Sequence, residues 1–212
     1  RGISKKIKNF EIQDLLERKP IILDNKLISK QISNKVVLIT GAAGSIGSEI
    51  VWQVLEFNPQ KIIIFDQAES PLHKLAIEIS KFEKDTKIVP IIGDIRNKEV
   101  LKRVFEKYKP TMVYHAAAYK HVPLMEENPC EAVFTNILGT KNLADLSLES
   151  GVKKFVMVST DKAVNPSNVM GASKRIAEKY VQSLYFKYKN DEHKITKFIT
   201  TRFGNVLGSN GS

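Results

Sequence analysis

From residue 35 onward, short apolar runs alternate with longer amphipathic stretches, and this alternation leaves few folds open. The runs are Val36–Thr40, Lys61–Phe65, Lys87–Ile92, Thr111–His115, Lys153–Ser159 and Ile195–Thr201. Their length suits strands, and their near-continuous apolar character suits strands covered on both faces. Between the first two, Ile46, Ile50, Val51, Val54 and Leu55 recur at helical spacing. Between the fourth and fifth, Asn128 and Pro129 supply a cap and a first-turn proline. The helix they start has an expected apolar face of Val133, Phe134, Ile137, Leu138, Leu143 and Leu146. Such alternation implies the α/β class: a three-layer, doubly wound parallel sheet of order 3-2-1-4-5-6. Ligands of such sheets bind at the carboxyl ends of the strands, near the point where the winding reverses.

Residues 1–34 show no strong period and are expected to form a connector packing on the domain of residues 35–212. Within it, Ile12–Arg18 reads as a short amphipathic helix stopped by Pro20, followed by an extended Ile21–Asp24. Hydrophobic residues make up 42% and charged residues 26%, a globular composition rather than a disordered one. The apolar runs are too short to cross a bilayer. One cysteine, Cys130, excludes an internal disulfide framework and suits a reducing compartment. The net charge of +10 rests on scattered lysines without interleaved aromatics. Nucleic acid is therefore not an expected partner, whereas anionic small molecules are. No metal is expected. A chain beginning at Arg1 is expected to be part of a longer protein.

The turn Gly41-Ala42-Ala43-Gly44-Ser45-Ile46-Gly47 follows the first strand and opens the first helix. Gly41 allows a tight turn, Gly44 lets a pyrophosphate approach the backbone, and Gly47 allows helix and strand to pack closely. Ser45 and Ile46 lie at the helix N-terminus, where N–H groups and positive potential attract phosphate. Asp66 closes the second strand about 20 residues later, where an acid is expected to accept hydrogen bonds from an adenosine ribose. Its charge would repel a 2′-phosphate, so this Rossmann-type sheet is expected to bind NAD rather than NADP. Asp94 and Ile95, ending the third strand, are expected at the adenine edge, with a plain helix cap as the alternative for Asp94.

Strand five delivers Thr160, Asp161 and Lys162 to the place where a nicotinamide should lie. Met170 and Lys174 stand one helical turn apart on the next helix. A tyrosine four residues before a lysine could exchange a proton with a substrate hydroxyl, but Met170 cannot. Either the chain is a disabled copy, or the chemistry rests with Thr160, Asp161 and Lys162.

The Gly-x-x-Gly-x-x-Gly turn and His115-Ala116-Ala117-Ala118 resemble the extended short-chain dehydrogenase/reductase superfamily. Four segments are similar to the nucleotide-sugar 4,6-dehydratases of polysaccharide biosynthesis that act on UDP-N-acetylglucosamine. These are Tyr119-Lys120-His121-Val122-Pro123-Leu124-Met125-Glu126, Thr160-Asp161-Lys162-Ala163, Val169-Met170-Gly171-Ala172-Ser173-Lys174, and Arg202-Phe203-Gly204-Asn205-Val206-Leu207-Gly208. The methionine and the leading Ile12–Asp24 point to the long, membrane-anchored subgroup.

The resemblance implies Asp161 as acid, Lys162 as base, Lys174 on the nicotinamide ribose, and Ala116 and Ala117 close to the cofactor. A desolvated pocket would raise the Asp161 pKa and lower that of Lys162. Thr160 is the candidate relay for the C4 hydroxyl proton. Lys120 and His121 are expected against the substrate, Asn136 at the active-site end of the sheet on the substrate side, and Arg202 and Asn205 at the diphosphate. It also implies retention of configuration at C5, a homo-oligomer, and a parent anchored in the inner membrane with this part on its cytoplasmic side. Members continue past Ser212, so a weakly active or inactive chain is expected. The alternatives are another sugar-nucleotide epimerase or reductase, or a non-catalytic NAD-binding module.

Overall fold

The computed structural model describes residues 24–82, 84–191 and 196–204. The expected helix at Ile12–Arg18, the extended residues before Asp24, and Asn205 lie outside the described residues. Six strands are present among them: β1 (Val36–Thr40), β2 (Lys61–Asp66), β3 (Lys87–Ile92), β4 (Met112–His115), β5 (Lys154–Thr160) and β6 (Lys197–Phe203). They pair in parallel in the order β3-β2-β1-β4-β5-β6, as the alternation predicts.

The sheet separates two apolar layers because successive strand residues point to opposite faces. Leu38, Ile63, Phe65, Val113 and Phe155 pack on one side with α4 (Lys98–Tyr108), α7 (Thr140–Glu149) and α8 (Val169–Tyr188). Val37, Ile39, Ile62, Ile64 and Met112 pack on the other with α1 (Asn25–Ile32), α2 (Ser45–Leu55) and α3 (Glu69–Ser80). Each fully buried aliphatic side chain here contributes roughly 1.5–3 kcal/mol.

The described end of the connector is a helix. Asp24 Oδ1 accepts from the N–H groups of Lys26 and Leu27 at 3.0 and 3.1 Å, capping α1, which buries Ile32 against the sheet. After β4, α5 (Val122–Glu127) leads to α6 (Pro129–Ala132), which runs through a π-helical segment, Val133–Gly139, into α7. Pro129 takes the first position of α6 as expected, but Asn128 makes no side-chain cap bond.

The π segment overturns part of the expected apolar face. Leu143 and Leu146 are buried, but Val133, Phe134 and Leu138 are exposed, and Thr135, Asn136, Gly139 and Thr140 face inward instead. One extra residue in a turn rotates the helix face, so a 3.6-residue period carried through it points the wrong way. Among the described residues, no helix is long and apolar enough to cross a membrane.

Candidate functional site

At the carboxyl end of β1, the glycine turn is shaped by two close approaches. Gly41 has φ +68°, and a Cβ there would lie 2.5 Å from Ala117 N. A Cβ on Gly47 would lie 1.9 Å from Gly41 O, so α2 closes onto the turn only with glycine at both positions. Gly44 N-caps α2 with no side-chain cap bond, and a Cβ on it would meet nothing nearer than Gly41 O at 3.3 Å. The fold itself therefore demands glycine less strongly at 44, which leaves approach by an anion as its reason.

Asp66 is tied to both neighbours of the cleft. Its Oδ2 accepts from Ala43 N and its Oδ1 from Ala68 N, each at 2.9 Å. The carboxylate thus pins the glycine turn to the start of α3 while still lining a cavity of about 250 Å³ with Gly44, Asp94, Ile95, Ala117 and Thr135. Each oxygen has a second lone pair, so ribose hydroxyls can still be held.

Asp94 does not cap the following helix; Asn97 does, accepting from Val100 N. Asp94 instead accepts from Arg96 N at 2.8 Å and Arg96 Nε at 2.6 Å, and Arg96 reaches on to Glu131 at 2.7 Å. Partial burial works against its charge, but the Arg96 hydrogen bonds prevail and hold the Asp94 pKa below the usual range. Thr135, which the sequence did not mark, is 95% buried, and its Oγ1 has no hydrogen-bond partner among the described residues. A buried hydroxyl left so beside a cavity fits a ligand that supplies the missing partner.

A second cavity of about 340 Å³ adjoins the first and is lined by Ile46, Lys120, His121, Thr160, Lys162, Met170 and Lys174. The structure therefore brings together the expected catalytic residues and both candidate substrate contacts from the loop after β4. Asp161 stands beside this wall: Thr160 Oγ1 donates to its Oδ1 at 3.0 Å, and Lys162 Nζ lies 3.4 Å from the same oxygen. The Asp161 pKa is lowered, by the Thr160 hydrogen bond and then by the Lys162 charge. This corrects the expected raised value, because the side chain is 58% exposed and desolvation is too weak to oppose its donors.

Lys174 is 94% buried, and Nζ donates to Val158 O at 2.7 Å. Burial lowers its pKa to about 8. Met170 sits in an apolar knot with Met125, Ala132 and Tyr119, giving the wall no proton-transfer group at this point. Gly171, another position the sequence did not single out, lets α8 touch the catalytic turn. A Cβ there would stand 2.4 Å from Lys162 O.

Two polar clasps hold this end of the sheet. His115 Nδ1 lies 2.8 Å from Thr40 Oγ1 and Nε2 lies 2.9 Å from Thr140 Oγ1. Thr140 donates to Asn136 O, so it accepts from Nε2–H, and Nδ1 accepts from Thr40. Complete burial and the nearby Lys174 charge push the His115 pKa down to about 3, so the ring stays neutral. Asn136 is 0% exposed; its amide accepts from Tyr119 N and donates to Tyr119 O and Ser173 Oγ. It thus supports the active-site end of the sheet, bracing the loop after β4 against α8 from behind the cavity; only its assignment as a substrate contact is corrected, because the side chain is enclosed.

Arg202 also departs from expectation. Its guanidinium grips Glu178 on α8 with two bonds, of 2.9 and 2.7 Å, and faces a groove outside the second cavity. The buried Glu178 carboxylate, also reached by Arg175, holds the guanidinium away from the lining of the second cavity.

A capsular polysaccharide biosynthesis protein of Staphylococcus aureus, CapD, is 54% identical over 207 residues, covering 97% of this chain and 34% of the relative. A Campylobacter jejuni protein named UDP-N-acetylglucosamine 4,6-dehydratase (inverting) is 41% identical over 182 residues, covering 85% of this chain and 52% of that one. The X-ray structure of Pen from Bacillus thuringiensis superposes with a TM-score of 0.77 at 38% identity, over 85% of this chain and 53% of that one. The chain thus spans between a third and about half the length of these relatives. A family model described as polysaccharide biosynthesis protein matches residues 37–212. With that match covering the sheet from Val37 onward and both cavities, the chain belongs to the polysaccharide biosynthesis protein family.

Proposed function

We propose that the chain is the NAD-binding and catalytic part of a nucleotide-sugar 4,6-dehydratase acting on UDP-N-acetylglucosamine. The observation that carries this is the bonded Thr160–Asp161–Lys162 turn beside Lys174, with methionine where a proton-exchanging phenol would otherwise stand. An epimerase or reductase relying on that phenol would lack it here. The Gly41–Gly47 turn, Asp66 and the unpartnered Thr135 hydroxyl suit the adenosine and pyrophosphate of NAD, and Lys174 suits its nicotinamide ribose. The Asp66 charge disfavours a 2′-phosphate, so NADP binding more tightly than NAD would overturn that part of the reading.

NAD held by the Gly41–Gly47 turn, Asp66 and Lys174 would supply the hydride acceptor needed at C4 of the sugar and the hydride donor needed at C6. Thr160 accepts the C4 hydroxyl proton while its own passes to Asp161 Oδ1 along the existing hydrogen bond. The lowered Asp161 pKa suits this order, because the group begins as a carboxylate able to receive the proton. With a ketone at C4 the C5 proton becomes acidic, and Lys162, its own proton lost to solvent as the substrate desolvates the pocket, takes it on its amine. Asp161 gives its stored proton to the departing C6 hydroxyl, which leaves as water. Lys162 then returns a proton to C5. A single base taking and returning the proton on one face retains configuration at C5, in contrast with the relative named as inverting.

The test is to incubate the full protein with UDP-N-acetylglucosamine and to follow the product by mass and NMR. Loss of one water, a 4-keto-6-deoxy sugar with retained C5, and no net NADH are expected. Asp161→Asn and Lys162→Ala should each slow dehydration by roughly 100-fold or more. Near-normal turnover by either variant would sink the assignment. The cytoplasmic, membrane-anchored placement of the parent stands as a proposal that fractionation of the full protein tests.

A further inference from the structure

Tyr119 joins the two cavities. They share Ala116, Ala118 and Tyr119, of which only Tyr119 has a side chain longer than a methyl group. Its backbone is fixed, with both N–H and C=O held by the Asn136 amide at 2.9 and 3.0 Å. Its ring lies against the Met125, Ala132 and Met170 knot, and its hydroxyl accepts from Gln67 Nε2 at 3.4 Å.

The sheet order gives that long bond its meaning. Gln67 follows β2 and Tyr119 follows β4, and these strands are the two neighbours of β1. A bond between the loops leaving them therefore crosses the carboxyl end of β1, where the Gly41–Gly47 turn lies. A dinucleotide reaching from Asp66 to Lys174 must pass through the same place.

We propose that Tyr119 and Gln67 form a gate over the cofactor cleft, which a dinucleotide opens on entry and which closes behind it. The proposal rests on the NAD reading above. The gate has a chemical use in a redox-neutral reaction, because a hydride removed in one step must be returned by the same cofactor molecule. The fixed Tyr119 backbone and single neutral hydrogen bond suit motion of the side chain alone. Breaking that bond frees the ring to turn without disturbing the loop.

Stopped-flow fluorescence of NADH binding to the 212-residue chain tests the gate, using wild type, Tyr119→Phe, Gln67→Leu and the double variant. Circular dichroism and melting temperature control for folding. Each single variant should speed both association and dissociation by roughly three- to tenfold, the worth of one neutral hydrogen bond, with the affinity changed far less. The double variant should add little to either single one, because both remove the same bond. Unchanged rates, rates that multiply in the double variant, or faster dissociation with unchanged association would each overturn the gate. Failure of wild type to bind NADH would overturn the cofactor reading itself, which separates the two failures.

Discussion

Lys174 shows at the scale of one residue how this site sets function against stability. An ammonium buried in an apolar wall is destabilising, and the fall in its pKa from 10.5 to about 8 corresponds to a cost on the order of 3 kcal/mol. Lys174→Met removes that cost, partly offset by leaving Val158 O without its donor. The variant should melt a few degrees higher than wild type at pH 7 while binding NADH at least about tenfold more weakly. The sign of the pH effect follows from the depressed folded-state pKa. Below about 8 both folded and unfolded states carry the proton, and the cost is full. Between about 8 and 10.5 only the unfolded state carries it, and the cost fades. The melting-temperature gap between variant and wild type should therefore shrink as pH rises through that window. Calorimetry across it would refute the argument by finding a constant gap.

Between elements, the catalytic turn owes its place to the contact of α8 with Lys162 O. That contact exists because Gly171 has no side chain. Gly171→Ala would force either the helix or the turn Asp161–Ala163 to move, since both sides are backbone. Dehydration by the full protein should fall on the order of 100-fold, as for a misplacement of about 1 Å, while NADH binding changes by less than about threefold. Equal losses in both would show a general loss of structure instead. The π segment works at the same scale. It turns Thr135 and Asn136 inward, with Thr140 following at the start of α7, so that one stretch of chain lines the first cavity, braces the loop after β4 and holds His115.

Across the whole molecule, the same rotation leaves Val133, Phe134 and Leu138 exposed on the π segment, and Ile176 is exposed on α8, which packs against that segment. Exposed apolar side chains gathered on adjoining elements mark association surfaces, and the homo-oligomer that the resemblance implies is expected to bury them. Sedimentation should show a dimer for wild type and a monomer for Phe134→Asp, with unchanged NADH binding; a wild-type monomer at micromolar concentration would end the idea. The sheet order and the glycine turn were legible in the sequence, because strand spacing and the demand for glycine at 41 and 47 are local matters. So was the position of the candidate catalytic segment, since a strand's carboxyl end fixes where Thr160–Lys162 emerge. The roles of Asn136 and Arg202 were not legible. Each has a side chain suited to a substrate, and only packing shows that Asn136 is enclosed by Tyr119 and Ser173, and that Arg202 is drawn to the buried Glu178. The direction of the Asp161 pKa shift was equally hidden, because it depends on exposure and on which donor reaches the carboxylate. The sequence by itself determined the architecture and which polar residues stand at each strand end, through periodicity and residue type. The tertiary structure alone decided which polar groups are already satisfied by neighbours and which, like the Thr135 hydroxyl, still lack a partner, since hydrogen bonding between distant segments has no period to read.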